Sequence, residues 1–179
     1  MKRPFEDSLN RRINKAPSTV VAVAVPWITV MLGSLVPALP LITASPLIPP
    51  FGFMLLVAWR QIRPGLLPVW AGLPLGLFDD LYSGQPFGSA MLIWSVAMIV
   101  LDMIEARFPW RTFWQEWLVG SLMVSVCLLA GAVFANASGG STPLALIAPQ
   151  AVLAILLYPL VGRLVAMFDR FRLLPFAKV

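Results

Sequence analysis

Two adjacent carboxylates, Asp79 and Asp80, stand near the end of an apolar run, and no other membrane-depth stretch of the chain carries such a pair. Paired acids can in principle move a proton or share a Mg²⁺ ion. Neighbouring helical positions point about 100° apart, however, so the two converge poorly on one ion unless the helix has already ended. The rest of the chain gives them little help. There is no His, the single Cys is Cys127 inside an apolar run, and no Gly-rich loop leads to a phosphate-binding Lys. Nucleophile–His catalysis, nitrogen and thiolate metal clusters, disulfides and an ATPase site are set aside on these grounds. The expectation is a protein without catalysis and without a cofactor.

The acids belong to the run Ala71 to Gly88. On a helix, Gly72, Gly76, Asp79 and Ser83 share one face, while Leu73, Leu77 and Phe78 point elsewhere. A small, polar face on a greasy helix suits packing against other helices, with polar groups as glue. Two readings stay open. The glycines only allow close packing and the acids sit in a wet turn, or the face meets a specific partner or substrate.

The elements that must position this face follow from composition. The chain has 179 residues, 59% hydrophobic and only 12% charged, with a mean hydropathy of +0.85. A soluble domain would carry roughly twice that charge. The reading is an all-α integral membrane protein with six transmembrane helices at about 19–42, 47–62, 66–82, 89–104, 118–135 and 144–165. Residues 1–18 form a basic segment in which Phe5, Leu9 and Ile13 allow a surface helix, 19–166 the membrane domain, and 167–179 a basic tail. The first apolar stretch is too long for a signal peptide and reads as a retained anchor. The second span is short and must lie in a thinned bilayer or be surrounded by protein. Pro37, Pro40, Pro46, Pro49 and Pro50 exclude a regular helix before it.

The net charge of +5 does not point to nucleic acid, because the basic residues flank apolar segments instead of forming a stripe with aromatics. All thirteen Lys and Arg fall in the start of the chain, at the ends of spans two and six, or in the segments that follow spans two, four and six, which places both termini in the cytoplasm. Arg60 or Arg63 is in reach of Asp102, although independent snorkelling of each charge into the headgroups is the expectation. Asp79 lies about 24 Å of helix from Arg63, near the outer boundary, and Asn136 and Gln150 fall at comparable depth. These groups are expected to approach one another in the outer half of the bundle, with Asp80 bonded to backbone or to Gln150.

Gly72, Gly76, Asp80, Gly84 and Gly88 recur every four residues. This run resembles the G-x-x-x-G-x-x-x-D-x-x-x-G-x-x-x-G signature of the MreD family of bacterial rod shape-determining proteins, with the family's acid on Asp80 and Asp79 a local addition. Length, span number, the basic start and the Pro-rich entry to span two are similar as well. The resemblance implies a non-enzymatic scaffold of the cell-elongation complex in the bacterial inner membrane, in contact with membrane lipid. It implies pairing with MreC and support of RodA, its transpeptidase partner and MreB in lateral peptidoglycan synthesis. The Gly72, Gly76, Asp80 face would then shape the surface that receives MreC. The family is also similar in fold to the substrate-binding S components of ECF vitamin transporters. That likeness supplies the alternative of a small-solute-binding subunit, with Asp79, Asp80, Asn136 and Gln150 lining its pocket.

Overall fold

The computed structural model describes residues 19–38, 48–108, 112–140 and 147–172. The basic segment 1–18, most of the Pro-rich connection and the tail after Arg172 lie outside them. The described residues form six α-helices: α1 Thr19–Leu35, α2 Phe51–Ile62, α3 Gly72–Tyr82, α4 Ser89–Arg107, α5 Phe113–Ala137 and α6 Ile147–Arg172. Of these, α4, α5 and α6 are long and apolar enough to cross a membrane by themselves.

The short α2 is the axis of the bundle. Twelve residues give only about 18 Å of helix. Every residue from Gly52 to Gln61 is buried, because α1, α4, α5 and α6 all pack around it. A helix that is apolar on all sides is stable inside a shell of other helices. Its close neighbour α1 fits because Gly33 and Ser34 lie directly against Gly52, where a side chain would meet Ser34 backbone at 3.0 Å.

Several boundaries differ from the expected ones for local reasons. The third helix starts at Gly72 instead of Leu66, since Pro68 holds an extended conformation and a 3₁₀ turn, Val69–Ala71, leads in. The fifth begins earlier, at Phe113, because Thr112 and Gln115 form a capping box. The sixth runs on to Arg172, where Arg170 and Arg172 in its last turn complement the helix dipole.

Two prolines sit inside helices beyond the first turn, and each strands the carbonyl four residues before it. Pro159 strands Ile155, whose oxygen accepts a hydrogen bond from the Trp117 indole at 3.1 Å. Pro26 strands Ala22, whose oxygen accepts one from Arg172 at 3.1 Å. In an apolar surround such substitute donors are what make a helical proline tolerable. Trp117→Phe keeps the packing but removes the donor. It is expected to lower stability by about 1–3 kcal/mol, read as a fall in thermal midpoint in fixed detergent. Adding Pro159→Ala to Trp117→Phe should recover most of the loss.

Candidate functional site

The run from Gly72 to Gly88 folds as α3, a turn and the start of α4, and the α3–α4 contact is the most extensive in the bundle. Gly72 and Gly76 make it possible. A Cβ on Gly76 would lie 2.7 Å from both the Ala90 oxygen and the Met91 Cα, and one on Gly72 would lie 2.7 Å from the Trp94 oxygen. These are backbone atoms and cannot swing away. Gly76→Ala is therefore expected to force the helices apart and to destabilise by about 1–3 kcal/mol. Gly162→Ala, where a Cβ meets nothing within 4 Å, should leave the thermal midpoint unchanged or slightly raised.

One turn further along the same seam, Asp80 reaches the N-terminus of α4. Its carboxylate accepts from the backbone N–H of Gly88 at 3.0 Å, Ala90 at 2.9 Å and Met91 at 3.1 Å, with the Ser89 hydroxyl at 3.4 Å. The residue at the cap position is Gly88, which has φ +92° and no side chain to offer. Asp80 thus does from a neighbouring helix what a capping Ser or Asp does locally, and its charge faces the positive end of the helix dipole. Gly84 and Gly88 both hold positive φ. The signature glycines divide into two that admit a backbone and two that turn it.

The expected single face is split by the structure. Of the face expected to hold Gly72, Gly76, Asp79 and Ser83, the two glycines go with Asp80 to α4, whereas Asp79 lines a cavity of about 330 Å³ at the same end of the bundle. Ser34, Ser83, Gln85 and Gln150 join it there. Gln150 does not bond Asp80. It donates to the Ile48 carbonyl at 2.6 Å, within a segment where Pro49 and Pro50 have no N–H to give. Asn136 is exposed at the end of α5 and is not among the cavity's lining residues, so of the three groups expected to meet, Asp79 and Gln150 do.

The opposite end holds the charges. Arg60, almost fully buried, donates to the Leu67 carbonyl at 3.0 Å and pairs with Asp102 and, at 2.9 Å, with Glu105. Arg63 and Arg172 grip Asp169 at 2.8 and 2.7 Å, and the Arg172 guanidinium also lies 5.9 Å from the centre of the Trp59 ring. The two guanidiniums thus neutralise the buried Asp169 carboxylate from both sides. The expectation of charges snorkelling independently is overturned here, because helix ends that converge bring Arg60 within reach of two acids at once. A polar bridge the sequence did not reveal lies beside this cluster. Tyr158 donates to Gln61 at 2.6 Å, Gln61 donates to the Glu116 carbonyl at 3.1 Å, and the Tyr158 ring lies where a side chain on Gly120 would be.

Among the described residues no group of three or more His, Cys, Asp or Glu is placed to hold a metal. The acid that the signature carries is consumed by a structural cap. With its membrane-length helices and polar groups turned inward, the chain is a helical membrane protein whose signature motif builds the bundle. The family model for the rod shape-determining protein MreD matches residues 18–168, and the chain belongs to that family. No curated protein and no solved structure matches it.

Proposed function

We propose that this chain is a non-enzymatic scaffold of the bacterial cell-elongation complex, crossing the inner membrane six times with both termini in the cytoplasm. Its work is to present transmembrane surfaces to MreC and, through the assembled complex, to support RodA, its transpeptidase partner and the MreB filaments during lateral peptidoglycan synthesis. The observation that carries this reading is the use of the signature itself. Gly72, Gly76 and Asp80 are spent on seating α3 against α4, which is the economy of a framework. Three features support the six crossings: six helices, a central short one wrapped in protein, and an ion-paired end where described basic residues collect.

The test is affinity purification of the tagged chain in mild detergent, with mass spectrometry of bound proteins and small molecules. Recovery of MreC with elongation subunits is the expected result. The cavity beside Asp79 favours one other reading, a solute-binding transporter subunit, and recovery of a transporter coupling subunit in place of MreC would replace the scaffold reading with it.

A further inference from the structure

Among the described residues, the Asp79 carboxylate lies within the bundle without a cationic partner. Asp80 beside it is neutralised by three backbone donors and a helix dipole. No described side chain forms an ion pair with Asp79. The described cations gather toward the other end: on α6, Arg163 lies thirteen residues beyond Gln150, about 20 Å of helix away. Ionisable groups inside a bundle ordinarily pair or mark a binding path.

The cavity around Asp79 is built for one kind of guest. Oxygen acceptors line it from separate elements: Asp79 from α3, Ser83 from the cap position just after it, Ser34 from α1 and the Gln85 side chain from the turn. Ser34 is buried to 1% exposure, and its hydroxyl, which faces the Asp79 carboxylate, closes no hydrogen bond of ordinary geometry. The Ser83 hydroxyl is likewise without a partner. A single carboxylate is too little charge and too few ligands for a divalent ion. A quaternary ammonium would call for an aromatic cage, and Phe51 is the lone aromatic on these walls. A primary ammonium, compact and with three diverging N–H donors, suits a carboxylate flanked by hydroxyls and an amide. Apart from Gln150, whose amide N–H is taken by the Ile48 carbonyl, the remaining walls, including Ile48, Leu128 and Ile147, are apolar and suit a short hydrocarbon body.

We propose that this cavity is a binding site for a primary ammonium group, with Asp79 as its counter-ion and Ser34, Ser83 and Gln85 as hydrogen-bond acceptors. The ammonium comes from an ethanolamine lipid headgroup or from a water-soluble amine. The inference depends on neither reading of the chain's protein partners.

The test uses the full chain, purified and reconstituted in nanodiscs of phosphatidylethanolamine, phosphatidylcholine or phosphatidylglycerol, with native mass spectrometry of the released protein. Thermal midpoints are measured in parallel against free ethanolamine and choline. Retention of phosphatidylethanolamine at least tenfold above phosphatidylcholine, lost in Asp79→Asn, supports the site with lipid as the source. A midpoint raised by ethanolamine but not by choline, and only with Asp79 present, supports it with a soluble source. Should Asp79→Asn fail to fold, the ethanolamine-to-choline preference of the unaltered chain decides alone. Equal retention of the two lipids together with equal response to the two amines overturns the proposal, as does binding undiminished in a folded Asp79→Asn protein.

Discussion

Asp80→Leu is expected to be the most damaging single replacement at this end of the bundle, where α3 meets the start of α4. It leaves the N–H groups of Gly88, Ala90 and Met91 without an acceptor at the buried start of α4. Each orphaned buried donor costs about 1–3 kcal/mol, so a total of about 3–5 kcal/mol is expected even with partial rearrangement. Asp80→Asn keeps the shape and one acceptor oxygen and should cost about 1–2 kcal/mol. Thermal unfolding in fixed detergent gives the totals. Amide hydrogen exchange gives the location, because loss of the cap should speed exchange at residues 88–91 before the rest of α4 opens. If Asp80→Asn proves as harmful as Asp80→Leu, the charge itself is required and capping is an incomplete account.

Arg60→Ala should be of similar size at the other end. It strips Glu105 and Asp102 of their shared counter-charge and the Leu67 carbonyl of its donor. Removing one partner from a buried ion pair costs about 3–5 kcal/mol. The two acids are unequal. Glu105 is 17% exposed and Asp102 is 53% exposed, so water screens the second far better. Glu105→Gln is therefore expected to lower the thermal midpoint more than Asp102→Asn. Replacing the whole set, Arg60→Met with Asp102→Asn and Glu105→Gln, should recover most of what Arg60→Ala loses, since no charge is then buried alone. A triple variant as unstable as Arg60→Ala would show that packing of the Arg60 stem dominates.

The helices were legible because each is an apolar run closed by prolines, glycines or charges, and those signals are local. Burial of the short α2 was legible too, since a span of only about 16 residues is too short to cross freely and left protein as one of two possible surrounds. What the spacing could not reveal is which of two adjacent acids faces which neighbour. Asp79 and Asp80 differ by about 100° on α3, and the direction that matters depends on where α4 begins in space. The same holds for Gln150, whose partner Ile48 lies 102 residues away. The fourth glycine of the signature carries the one clue that sequence reasoning could have used. A glycine at a helix start needs a capping group from elsewhere, and Asp80, eight residues earlier, was the acid at hand.

The hydrogen bond from Arg172 to the carbonyl that Pro26 leaves open joins residues 150 positions apart. At translation rates of about 5–20 residues per second, α1 waits on the order of ten to thirty seconds before the end of α6 is synthesised to complete it. Over that interval the Ala22 oxygen must be served by water, lipid headgroups or the insertion machinery. Helix α1 is therefore made before the other described helices and completed only with the last of them, and chain truncation anywhere before Arg172 leaves it with an open backbone acceptor.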